Sequence, residues 1–221
     1  MSKTDERFDQ WAAMLCDLQP AVQKDALRQV RQWIESVGNG LHSPATQAEP
    51  EAEDGAQDPA ARLQRAVADT ARAAPEATVR SEALLTLSRW RKLDEWNRAA
   101  VLIGLNDPDE VVRLAAVQVL GEQLASDQLD RLLQTAQKDV SERVRAHAVS
   151  ALSLIQREQG TEQRISFGAV RTRGEAPSPI AGRVRGALSQ LAETDRSAYV
   201  RFMARQSSQG EPEFDQGGAD A

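Results

Sequence analysis

Trp90, Arg91, Asp94 and Trp96 come nearest to a reactive constellation in this sequence, because aromatic planes beside a carboxylate are what stacking and processing an extruded nucleotide requires. A duplex is a poor match for a chain with 33 acidic residues, 27 basic residues and a formal charge of −6. Trp90 also has a periodic counterpart in Trp33, which reads it as core. The rest of the reactive inventory is small. His42 lies in an acidic stretch, and His147 has no histidine or carboxylate neighbour at ligand spacing, so it reads as a surface residue or a partner contact. Cys16 is the single cysteine, which excludes an intrachain disulfide and any cysteine-cluster metal site. With Trp11, Ala12 and Leu15 at helical spacing around it, Cys16 reads as a small buried hydrophobe. Glycine-rich phosphate loops, G-x-S-x-G and H-E-x-x-H are all missing from the sequence. No metal and no cofactor is expected.

The elements that would position such residues are announced by a repeated phrase. Val79-Arg80-x-x-Ala83-Leu84-x-x-Leu87 returns as Val112-Arg113-x-x-Ala116-Val117-x-x-Leu120 and as Val144-Arg145-x-x-Ala148-Val149-x-x-Leu152, at intervals of 33 and 32 residues. That period accommodates two short helices and a turn, the unit of a helical solenoid. A degenerate copy, Val22-Gln23-x-x-Ala26-Leu27-x-x-Val30, precedes them, and Trp33 follows Val22 at the interval at which Trp90 follows Val79. A fifth, weaker copy is read at Val184-Arg185, with Leu188, Leu191 and Ala192 as its apolar face. Within each phrase the apolar positions form one stripe of an inner helix. Upstream partner helices are read from Phe8, Trp11 and Leu15; Leu63, Val67 and Ala71; Trp96, Ala99, Leu102 and Ile103; and Leu129, Leu132, Leu133 and Ala136. In the turn Leu105-Asn106-Asp107-Pro108-Asp109, Asp107 is placed to cap the next helix.

Two interruptions break the period. Residues 38–59 hold five acids between Glu49 and Asp58 with no base, and are read as a disordered acidic loop. Residues 159–181 are read as a basic loop rich in Gly and Pro, carrying Arg164, Arg171 and Arg173. The expected organisation is a degenerate repeat over 1–37, central repeats over 60–158, a C-terminal degenerate repeat over 182–206 and a disordered tail over 207–221. The N-terminus lacks an apolar signal segment and no run approaches the roughly 18 apolar residues of a membrane span. A cytoplasmic protein without membrane contact is expected.

The phrase Asp107-Pro108-Asp109-x-x-Val112-Arg113-x-x-Ala116-x-x-x-Leu120-Gly121 resembles the HEAT repeat, and its short period is most similar to the bacterial HEAT-like repeats of phycobilin lyases. The resemblance is good over about residues 76–156, weaker over 8–36 and 182–206. It implies an all-α fold, a right-handed α-solenoid of about five HEAT-like helical hairpins with two loop insertions. It also implies a ladder of turn aspartates and inner-helix arginines, pairing Asp107 with Arg113 and Asp139 with Arg145, a structural device that orients neighbouring repeats. The second copy has Ala74 at the aspartate position, and the first has Asp17 but Gln23 in place of arginine. The constellation at Trp90 and Asp94 is similar to that of HEAT-like DNA glycosylases, but loosely. The His-Glu pairs of HEAT-fold di-iron hydroxylases are missing.

Function is then sought on the exposed rows of the inner helices. Three, six and ten residues after each valine stand Asp25, Glu82, Ala115 and His147; Arg28, Leu85, Gln118 and Ser150; and Gln32, Arg89, Glu122 and Leu154. Mixed in charge and partly apolar, these rows suit a protein segment better than a phosphate backbone. The partner-binding residues read on this face are Asp25, Arg28, Glu82, Leu85, Arg89, Gln118, Glu122, His147 and Ser150, with Arg164, Arg171 and Arg173 of the basic loop as a second surface. The favoured reading is a non-catalytic adaptor or assembly factor whose partner is another protein. A bilin lyase-like enzyme or enzyme subunit is the alternative, and a nucleic-acid binder is third.

Overall fold

The structure, a computed structural model, describes residues 3–38, 58–90, 93–123, 128–166 and 179–208. These residues form ten helices and no strand, so the fold class is all-α, and no helix among them is long and apolar enough to cross a membrane. Packing divides the chain into two compact units, Met1–Gln123 and Leu124–Ala221.

The first unit contains three helical hairpins: α1 (Lys3–Leu15) with α2 (Pro20–Gly38), α3 (Pro59–Ala73) with α4 (Ala77–Leu87), and α5 (Glu95–Gly104) with α6 (Glu110–Glu122). Odd helices pack as one layer, α1 on α3 on α5, and even helices as another, α2 on α4 on α6. Proline opens α2 and α3 at a position whose N–H has no helical partner. Asp58, Asp94 and Asp109 then accept from the free amides of Ala60, Asn97 and Val111. Asp109, rather than Asp107, is therefore the cap of α6. Leu27, Leu63, Leu84 and Leu87 are fully buried between the layers, each contributing about 1.5–3 kcal/mol. In the first hairpin Phe8, Trp11 and Trp33 form an aromatic cluster, with Phe8 and Trp33 edge to face at 4.7 Å.

Helix α5 turns a different face inward from the one its large residues suggested. Trp96 and Ile103 are about half exposed, while Asn97, Ala100, Val101 and Gly104 are buried. The cause lies at Gly104, where an added Cβ would stand 2.8 Å from Leu84 Cδ1 and 3.2 Å from Ala116 Cβ. The small-residue face permits this close approach, so Trp96 lies outside it. There the Arg72 guanidinium sits 4.1 Å above its ring and Asp69 accepts its indole N–H at 3.1 Å, which ties α3 to α5.

The second unit pairs α7 (Leu129–Lys138) with α8 (Glu142–Ser166) and α9 (Pro179–Thr194) with α10 (Ala198–Ser208). Here α8 packs on α10 and α7 touches α9. Two expectations change. The segment read as loop from residue 159 is helical to Ser166, because α8 continues past its apolar stripe. Val184, read as the start of the fifth inner helix, lies in α9, the partner helix of the last hairpin. The inner helix is α10, whose phrase Val200-Arg201-x-x-Ala204 repeats Val144-Arg145-x-x-Ala148, with Asp195-Arg196-Ser197 standing where Asp139-Val140-Ser141 stands before α8.

Candidate functional site

The arginine of each phrase is fixed by its own turn. Arg80 Nη1 donates to the carbonyls of Ala74 and Pro75 at 2.9 and 3.0 Å, and Arg113 Nη1 to those of Asp107 and Pro108 at 3.0 and 3.1 Å. Arg145 Nη1 donates to Asp139 and Val140, and Arg201 Nη1 to Asp195 at 2.7 Å. Gln23, the substitute in the first copy, donates to the carbonyl of Leu15. Six residues of turn and helix carry the guanidinium back onto carbonyls of the turn, just beyond the last residue of the preceding helix, where no helical N–H reaches them.

The carboxylates are arranged differently from the pairing that the repeat resemblance implied. Asp107 is held in a fork by Arg80 of the hairpin before it, through Nε at 2.8 Å and Nη2 at 2.9 Å. Asp195 is held in the same way by Arg145, at 2.9 and 3.0 Å. Arg113 and Arg145 thus meet the backbone of their own turn aspartate, while the fork of Arg80 and of Arg145 reaches the turn of the next hairpin. The reason is the turn itself. Asp107, Asp139 and Asp195 each accept the amide two residues ahead, which rotates the carboxylate away from the arginine that follows it. Burial pushes the Asp195 carboxyl up, but the Arg145 fork, the Ser197 amide and the charges of Arg145 and Arg196 outweigh it and hold it below the usual carboxylate value. Asp107 is lowered in the same way, against burial, by Arg80, the Asp109 amide and the charge of Arg113. A cleft of about 420 Å³ opens beside the second pair, lined by Lys138, Asp139, Arg145, Thr194, Asp195 and Arg196 among others. Its arginines are committed to the scaffold, since Arg196 also donates to the carbonyls of Asp139 and Val140.

The exposed rows are assembled in part. Arg28, Arg89, Gln118 and Glu122 are exposed, and Asp25, Glu82 and Leu85 are half-buried. They belong to α2, α4 and α6, which lie side by side in one unit. Arg28 and Gln29 both donate to Asp25, and Gln118 donates to Glu122 at 2.7 Å, so local pairs already partly neutralise the face. Ala115, expected in the exposed row, is buried because α6 is covered there. His147 and Ser150 stand on α8 of the other unit, exposed and half-buried, each bonded to a carbonyl of its own helix. Arg164 falls within α8, whereas Arg171 and Arg173, like His42, Arg91 and residues 39–57 of the acidic stretch, lie outside the described residues. Cys16, read as buried, is exposed at the end of α1. Asp94 is occupied as a helix cap, and Trp90 is half-buried. Among the described residues no group of three or more His, Cys, Asp or Glu gathers as a metal site.

Residues 98–167 match the family model of HEAT repeats, over the hairpins whose turn and arginine geometry has just been described. This segment carries HEAT repeats. No curated protein matches the sequence. HEAT repeats generally mediate protein–protein interaction. The turn carboxylate missed by the sequence reading is Asp195, together with its phrase at Val200. The signal was present, since Asp195 precedes Val200 by the same five residues that separate Asp107 from Val112 and Asp139 from Val144.

Proposed function

We propose that this HEAT-repeat chain is a non-catalytic adaptor that holds another protein against the exposed rows of α2, α4 and α6. The observation that carries this reading is the contrast within those helices. Their inward positions, Leu27, Leu84 and Val117 among them, are sealed, while Arg28, Arg89, Gln118 and Glu122 remain exposed beside a half-buried Leu85. Both charge signs with a small apolar element give a surface able to choose a partner by complementarity rather than by net charge.

The test is affinity capture from the native host with the whole chain and with a variant carrying Arg28→Glu, Arg89→Glu and Glu122→Lys. These positions are exposed, so the variant should melt as the parent does. Loss of the same prey proteins from the variant supports the adaptor reading. Retention of every prey would overturn it for this face. A shift in bilin absorbance on mixing with the purified protein would instead favour the lyase-like alternative.

A further inference from the structure

The stacking side of α10 differs from that of every earlier inner helix. One residue after the valine, Gln23, Arg113 and Arg145 are buried, whereas Arg80 and Arg201 are both half-buried. Two residues after it, Ser81 and Ala146 are buried, whereas Phe202 is 56% exposed. Five residues after it, Leu27, Leu84, Val117 and Val149 are fully buried, whereas Arg205 is exposed. These positions share one side of a helix. In α4 and α8 that side meets the following hairpin. No hairpin follows α10 among the described residues.

The decisive atoms belong to Arg201. Its Nη1 is anchored to the Asp195 carbonyl as in the other copies, which fixes the plane of the guanidinium. In Arg80 and Arg145 the opposite edge, Nε with Nη2, grips a carboxylate in a fork. In Arg201 that edge has no partner among the described residues. A further apolar hairpin would bury Arg205 without a counter-charge, an arrangement that is strongly unfavourable. Arg205 therefore selects for a partner that brings negative charge.

We propose, building on the adaptor reading, that Arg201, Phe202 and Arg205 form a docking site for an acidic segment of a partner protein. One carboxylate takes the Arg201 fork in the geometry that Asp195 shows on Arg145, a second lies against Arg205, and an apolar side chain between them covers Phe202. A fork of this kind fits phosphate as well as carboxylate, and a nucleic-acid strand is disfavoured instead by the chain's formal charge of −6.

The experiment measures fluorescence anisotropy of a labelled short peptide of aspartate and phenylalanine with the whole chain, beside the same peptide with asparagine for aspartate and a labelled oligouridylate. The aspartate peptide should bind and the asparagine peptide should not. Arg201→Gln should weaken binding about ten-fold or more, and Arg201→Lys should restore only part of it, since lysine keeps the charge and loses the fork. Arg205→Gln and Phe202→Ser give the same information should Arg201→Gln disturb the turn, which a thermal melt reads. Equal binding of both peptides, tighter binding of the oligouridylate, or parental affinity in the Arg201, Arg205 and Phe202 variants would overturn the proposal. The variant at Arg28, Arg89 and Glu122 should keep full peptide affinity, so failure here and failure of the adaptor reading are separately visible.

Discussion

Arg145 and Arg201 occupy the same position in consecutive helical hairpins and make the same bond to a turn carbonyl, yet their outer edges meet opposite fates. Arg145 is 2% exposed, locked by its fork to Asp195, while Arg201 is half-exposed and offers its fork outward. The motif orients the guanidinium; a following hairpin, which α8 has and α10 lacks among the described residues, supplies the carboxylate that locks its outer edge. Local sequence sets the first of these, and position in the stack sets the second.

Removing each arginine in turn is the strongest way to break this comparison. Arg145→Met leaves the Asp195 carboxylate buried without its counter-charge and should destabilise the protein by about 3–5 kcal/mol, measured by urea unfolding. Arg201→Met removes one bond at a half-exposed site and should cost less than about 1.5 kcal/mol. Similar losses at the two positions would erase the distinction. Adding Asp195→Asn to Arg145→Met should recover part of the loss, because the amide oxygen still accepts from Ser197 while the orphan charge is gone.

The pH profile sharpens the same pair. The folded Asp195 and Asp107 carboxyls lie below the ordinary value, so their stabilisation is present above about pH 4 and disappears as acid carries them through their folded values. Parental stability should therefore rise on leaving acid. In Arg145→Met the main lowering influence on Asp195 is gone and burial raises it. Its contribution is then greatest in acid and fades as pH rises through the folded value. Urea midpoints at about pH 3 and about pH 7 should draw together in the variant. An unchanged difference would show that Asp195 is not governed by Arg145.

Packing supplies a second contrast, between Gly104 in the interior of the first unit and Gly186 in α9. Gly104→Ala places a methyl group 2.8 Å from Leu84 Cδ1 and 3.2 Å from Ala116 Cβ. Overpacking of this kind costs about 1–3 kcal/mol, and the melting temperature should fall. No change would mean that the Leu84 side chain swings aside freely.

Much of this fold was legible because the repeat forces the same residue types into the same places. Phe8, Trp11, Leu15, Leu63, Val67, Leu132 and Ala136 are buried where helical spacing put them. Legibility failed where size misled. On α5 the large residues Trp96 and Ile103 outweighed Gly104 in the pattern, although the glycine controls how closely the helices approach. In the last hairpin, Val184-Arg185 imitated the phrase and drew attention from Val200-Arg201, whose spacing to Asp195 was the better guide. The fork between one hairpin and the next was hidden for another reason. It joins residues 27 and 50 positions apart, whereas an aspartate stands only six residues before Arg113 and before Arg145 and is the nearer candidate. Of the expected contact rows, Arg28, Arg89, Gln118 and Glu122 are exposed, whereas Ala115 is covered, since periodicity specifies a helix face but not what a neighbour buries.

Gly186 gives the smallest expected effect and the opposite sign. It sits within α9, and an added Cβ there meets nothing within 4 Å. Glycine inside a helix is disfavoured relative to alanine because more backbone freedom is lost on folding, by about 0.5–1 kcal/mol. Gly186→Ala should therefore stabilise the second unit by about that amount, read as a higher urea midpoint with an unchanged slope. The anisotropy of the acidic peptide adds a further reading, since the substitution lies on α9 and leaves Arg201, Phe202 and Arg205 untouched. Peptide affinity should stay at the parental value while stability rises. If affinity moved with stability, the fork of Arg201 would depend on how firmly the last hairpin holds together, and the difference between Arg145 and Arg201 would lie in local rigidity rather than in the carboxylate that one has and the other lacks.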